Sequence, residues 1–171
     1  MEKIIYTLSI VLGLGLSANA QIQSMAGPRI GVTLIGQGNS ADYLNNNDGK
    51  SALTTQYGWQ WESRFGSSTE FTGLVEWIVV VGGMEKGKFL PSISSIIGFR
   101  NKDGFEMGFG PNLSGSGLGM VLAMGLNLKS GDLNLPINIA WVPSKKTTSW
   151  FGDEHHYGST ISILVGFNLA K

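Results

Sequence analysis

Apolar and small or polar residues alternate along this chain with a period of two, and the alternation recurs in eight segments. Val75, Trp77, Val79 and Val81 take one face of a segment, and Phe105, Met107 and Phe109 repeat the pattern around Glu106, Gly108 and Gly110. A period of two is the signature of a β-strand with two different faces. The apolar face here carries tryptophans and phenylalanines, and the opposite face carries glycine, amides and charges. A soluble barrel turns its apolar face inward, whereas a barrel in lipid turns it outward.

The segments lie near residues 28–35, 54–64, 73–82, 88–100, 104–111, 117–129, 133–143 and 157–169. Most approach the roughly 9–11 tilted residues that cross a bilayer as a strand. The outward register collects Ile30, Val32 and Leu34, then Tyr57, Trp59 and Trp61, and continues through Ile93, Ile97, Leu122, Met124, Ile139, Ile163 and Phe167. It contains no charge, and only Pro91 and Ser95 interrupt it. A charge at mid-bilayer costs about 2–4 kcal/mol, so an uncharged face is what lipid exposure requires. The expected fold is all-β: a closed antiparallel up-and-down transmembrane barrel of about eight strands.

The connections sort into two kinds. Residues 66–70, 101–104 and 129–132 are short and rich in Gly, Asn, Asp and Ser, as hairpin turns are. Residues 36–53, 111–117 and 144–156 read as longer polar loops. Short turns at one end and long loops at the other predict periplasmic turns and extracellular loops. Aromatic residues then fall into two belts, Tyr57, Phe89, Phe109, Trp141 and Tyr157 outside and Trp61, Phe99, Phe105 and Phe167 inside.

Composition narrows the compartment. Lys3, an apolar run from Ile4 to Leu16, and Ala18-Asn19-Ala20 before Gln21 form a secretory signal over residues 1–20, leaving 21–171 as one barrel domain. The apolar run is too short for a spanning helix, which needs about 20 residues. With no cysteine, the chain has no disulfide, no thiolate metal site and no cysteine nucleophile. Twelve basic and twelve acidic residues balance, which argues against a nucleic-acid partner, since such a partner calls for clustered positive charge. Charged residues make up 14%, against roughly 25% in soluble domains.

Over residues 26–169 this pattern resembles the small eight-stranded outer-membrane barrels of Gram-negative bacteria, and the uncharacterised short barrels of Bacteroidota in particular. The final strand from Ser159 to Phe167 carries much of the likeness. The resemblance implies insertion by the barrel assembly machinery, which reads a terminal aromatic residue. Here Phe167 is followed by four more residues, a departure from that pattern. Other expected partners are outer-membrane lipids and a small hydrophobic molecule; a monomer without cofactor or metal is expected.

The inward register holds the residues with chemistry. Arg29, Glu62, Arg64, Glu76, Arg100 and Glu106 all fall toward the periplasmic end, with Asn134 and Asn168 at the same level. Buried charges must be paired, so a balanced cluster reads as a structural plug, with a gated ion path as the alternative. Above it the inward residues turn small and apolar: Ile78, Val80, Leu90, Val121 and Leu164, with Gly58, Gly110 and Ala123. They either pack the lumen shut or leave a hydrophobic cavity for a group such as a lipid acyl chain. Pro136, in mid-strand, predicts a weak point or a bulge.

Other motifs point to no chemistry. Adjacent His155 and His156 beside Asp153 and Glu154 project apart on an extended segment, which is poor spacing for one metal ion, so a solvated loop tip is expected. No G-x-S-x-G turn accompanies Ser159 and His155, and the glycines at 115, 117 and 119 lack phosphate-loop spacing. The function expected is structural or surface-interacting without catalysis. The alternatives are a barrel that binds or passes a hydrophobic ligand, a soluble periplasmic lipid-binding barrel, and a membrane-embedded lipid-modifying enzyme.

Overall fold

The computed structural model describes residues 24–46, 48–131, 133–148 and 154–170. Seven long strands follow one another: β1 (Ser24–Ile35), β2 (Ala52–Ser67), β3 (Phe71–Gly82), β4 (Leu90–Asn101), β5 (Phe105–Ser114), β6 (Gly117–Ser130) and β7 (Leu133–Val142). A small hairpin of β8 (Lys145–Thr148) and β9 (Glu154–Tyr157) comes next, and β10 (Thr160–Gly166) with β11 (Asn168–Ala170) forms the eighth wall position. Each wall strand pairs antiparallel with its sequence neighbour, and the last pairs with both β7 and β1. The sheet therefore closes into an eight-stranded barrel with no free edge.

The inside-out arrangement follows from the register. Trp77, Ile97 and Ile163 are 52%, 57% and 46% exposed, while the inward residues beside them, Glu76, Ile96 and Ser162, are 6%, 2% and 9% exposed. A continuous apolar exterior of this extent far exceeds the few hundred Å² that soluble monomers show, and is stable where lipid covers it. No helix among the described residues is long and apolar enough to cross a membrane. The wall crosses with strands.

Several connections differ from expectation. Residues 111–117 are no long loop: β5 and β6 run on to a two-residue turn, closed by Gly117 at φ +85°. Residues 36–53 contain a short helix, α1 (Asn39–Asn45), which ends at Asn46 in a left-handed conformation. Ala41 and Leu44 of α1 are buried against Ile35, Ala52 and Leu90, so an apolar contact pins the helix over one rim. Residues 144–156 include β8 and much of β9, and Tyr157 ends β9, so it belongs to that hairpin and not to a membrane belt. The signal segment, Asp132 and Asp153 lie outside the described residues.

Pro136 makes no bulge with β6, since the β6–β7 register runs unshifted through Asn127–Pro136. Its effect falls on the other side. The last strand breaks at Phe167, which falls opposite Pro28 of β1, while the adjoining Gly166 falls opposite Pro136 of β7, and neither proline has an N–H to offer.

Candidate functional site

The lumen has two levels. At the end bearing the short turns, Arg100 enters from β4 and meets two carboxylates. Its Nη1 and Nη2 donate to the two oxygens of Glu62 at 2.9 and 2.6 Å, and its Nε donates to Glu106. Glu106 is the cross-strand partner of Arg100 on β5, so the ladder itself delivers that pair. Arg64 reaches Glu62 from the same strand, with Nε 3.1 Å from Oε1, and its Nη2 lies 3.3 Å from the Met25 sulfur.

A second chain of bonds crosses the same level. Arg29 donates through Nε to the Gln60 carbonyl at 2.9 Å and through Nη2 to Asn168 Oδ1 at 2.8 Å. The Gln60 amide in turn donates to Glu76 at 2.6 Å. Glu62 and Glu76 stand directly opposite across β2 and β3, a like-charge pair that is unfavourable alone. Arg100 on one and Gln60 on the other give each carboxylate its own donor. The residues singled out by sequence thus come together, but Arg29 and Glu76 meet through an amide and not as an ion pair.

Gln60 is the member that a search for charge passes over. Its position two residues before Glu62 on β2 was the available signal, because inward residues recur every second position. It is 1% exposed.

The upper level is apolar. Ile78, Val80, Ile96, Val121 and Leu164 form one buried cluster, with Ala123, Ala140 and Val142 packed on it. Above it lies an open vestibule of about 110 Å³, whose walls include Leu90, Pro91, Ser94, Ile96, Asn112 and Leu164. For scale, an apolar cavity of roughly 150 Å³ can hold benzene. A few polar groups bond to one another on its wall: Thr33 Oγ1 lies 2.8 Å from Ser162 Oγ, and Asn112 donates to Ser92 and Ser94 at 2.7 and 2.9 Å.

The rim is built from two elements. Beside α1, Glu85 accepts from the hydroxyls of Thr54 and Thr55 at 2.6 and 2.7 Å. Slight burial opposes its ionisation, but these hydrogen bonds prevail and hold its carboxyl down at about 2. On the other side, Lys145 Nζ donates to the Leu118 carbonyl at 3.0 Å and lies over the Tyr157 ring, where burial lowers its pKa. His155 bonds Asn39 of α1 at 3.1 Å, so this segment is part of a docked hairpin and not the expected free loop tip. No cluster suited to a metal ion occurs among the described residues.

No known protein family matches the chain, and no curated protein is similar to it in sequence. Among solved structures it is similar to the outer membrane enzyme PagL, with 15% identity, 82% of this chain and 98% of that chain covered, and a TM-score of 0.48. It is also similar to Ail, the attachment invasion locus protein of Yersinia pestis, in complex with the heparin analogue sucrose octasulfate. That match has 12% identity, covers 86% of this chain and 100% of the other, and has a TM-score of 0.27.

Proposed function

We propose that the protein is an integral outer-membrane barrel of a Gram-negative bacterium that is closed to ions and acts at its outer face, in a structural or surface-interacting role without catalysis. The observation that carries this reading is the buried network in the lower lumen, where Arg100 bonds both Glu62 and Glu106 and where Arg29, Glu62, Glu76, Arg100 and Glu106 are all buried. An eight-stranded barrel is just wide enough for side chains to fill, so a lumen packed with side chains this buried leaves no continuous water path. Residues 1–20 serve as its export signal, and kinship with the short Bacteroidota barrels belongs to the same reading. The short-turn end faces the periplasm, and α1 with the β8–β9 hairpin faces outward. It works as a monomer among outer-membrane lipids after insertion by the assembly machinery.

Reconstitution into planar bilayers tests the closure. Silence is expected from the wild type and from Glu76→Gln. A steady wild-type conductance whose ion selectivity changes in Glu76→Gln would overturn the reading.

The vestibule favours a second reading, in which the barrel also hosts a small hydrophobic group. Its floor is the apolar cluster, and Thr33, Ser162, Ser92, Ser94 and Asn112 on its wall already bond among themselves, so an apolar guest does not strand these groups.

A further inference from the structure

The β4–β5 ladder has a gap at mid-wall. Ser94 pairs with Asn112 and Ile97 with Phe109, in one unshifted register, but the two rungs between them, Ser95–Pro111 and Ile96–Gly110, are missing. Pro111 still pairs with Met120 on β6, so the N–H it lacks is the one that would face β4. The Ser95 carbonyl loses its donor. Ser95 and Pro111 present little bulk to lipid, and Gly110 presents no side chain to the lumen.

Apolar space lies against the gap on both sides. Outside, Ile97 and Phe109 line a concave groove of about 630 Å³ that runs across β4 to β7. Its floor is thin, because Gly98, Gly108 and Ala123 stand side by side on three successive strands. Inside, Ser94 and Asn112 line the vestibule. The first intact rung below the gap therefore belongs to the outer groove, and the first above it belongs to the vestibule. Ile96 stands between, 2% exposed and facing the lumen.

We propose that the β4–β5 seam is a lateral portal through which the alkyl chain of a membrane amphiphile passes from the outer groove into the vestibule. The proposal rests on the ligand-hosting reading and adds the route. An alkyl chain fits because the groove is lined by apolar side chains and opens to lipid, and the polar groups met at the inner end, Ser94 and Asn112, already bond to each other. The vestibule accommodates only the chain's end, while the remainder lies in the groove. Passage requires β4 and β5 to part locally. The missing hydrogen bond lowers that cost, and Ile96 must rotate aside.

The test uses the full mature chain folded into dioleoylphosphatidylcholine vesicles that contain palmitic acid with a diazirine at its terminal carbon. Brief illumination followed by mass spectrometry reports which residues the chain end reaches. Labelling of inward Ile96 and Val121 is expected, besides labelling of groove residues such as Phe109. Pro111→Val restores an N–H opposite Ser95 and should slow inward labelling about fivefold, the factor of a typical net hydrogen bond, without changing labelling in the groove.

A second arm does not depend on that variant folding. The chain has no cysteine, so Ile93→Cys with Leu113→Cys, cross-strand partners just above the gap, introduces one disulfide within reach. Oxidation should suppress inward labelling and reduction should restore it in the same sample. Absence of inward labelling in the wild type would overturn the ligand-hosting reading itself. Inward labelling unaffected by both Pro111→Val and the oxidised staple would overturn the portal and leave that reading standing, with entry from the mouth.

Discussion

Arg100→Ala is the sharpest test of the lower lumen. The substitution deletes three charge-assisted hydrogen bonds, two to Glu62 and one to Glu106. Glu62 and Glu106 are 1% and 6% exposed, so in the folded arrangement water solvates neither carboxylate. Glu62 keeps Arg64 at 3.1 Å, whereas Glu106 keeps no ion pair among the described residues. The three bonds, at about 1.5–3 kcal/mol each, set a gross loss that relaxation and water entry reduce. Removing one partner of a buried ion pair typically costs about 3–5 kcal/mol, and that is the expected loss here. Lys102→Ala is the matched control. Its pair with Glu70 at 3.0 Å has both side chains more than half exposed, and such pairs contribute about 0–1 kcal/mol. Urea unfolding in detergent micelles, followed by tryptophan emission and by the mobility difference between folded and heated protein on gels, measures both. If Arg100→Ala unfolds at the same urea concentration as Lys102→Ala, the charges do not form the paired network described above.

Two further outcomes follow from the wall and its orientation. Val79→Arg, Leu122→Arg and Ile163→Arg should each destabilise the membrane-folded barrel by about 2–4 kcal/mol near the midplane, read as a lower urea midpoint in vesicles; tolerance at all three positions would mean that their face is not the lipid face. Protease added to intact cells should cut within 36–53 or 144–156 and spare the turns around Asp103 and Gly131, and cleavage seen only after the outer membrane is breached would invert the orientation.

The wall was legible in the sequence because lipid imposes a rule on every second residue. Trp77 out and Glu76 in can be read directly, since one register exposes apolar groups everywhere and the other collects every lumen charge. What escaped lacked that period. The Asn39–Asn45 helix has only Ala41 and Leu44 buried, an apolar contact that exists because Ile35, Ala52 and Leu90 meet it. Helices this short depend on tertiary packing, which local sequence does not display. The β8–β9 hairpin is short and mostly polar in sequence, so no apolar alternation marks it. Gln60 shared the inward parity of Glu62 but carried no charge to mark it. The prolines were visible, yet a proline's consequence depends on which neighbour faces its missing N–H. That is fixed by the ladder: Pro111 opens toward β4, and Pro28 and Pro136 both open toward the last strand.

The two levels of the lumen bear on each other through the β4–β5 pair. Below the gap, the Arg100–Glu106 bond ties these strands together at the turn end. Above it, Asn112 of β5 ties to Ser92 and Ser94 of β4 at 2.7 and 2.9 Å. Between the two ties, the inward positions on these strands are Ile96, Gly98, Gly108 and Gly110, none of which has a polar side chain to bond across the seam. Strands held at both ends and unclasped in the middle can part over a few residues without unzipping the barrel. On the proposed reading the charged network has a use beyond closing the lumen: it supplies the lower clamp that makes local opening compatible with a closed wall. On this logic Arg100→Ala lowers global stability and also loosens the seam, so its inward labelling should rise while its urea midpoint falls. Pro111→Val moves both quantities in the opposite direction.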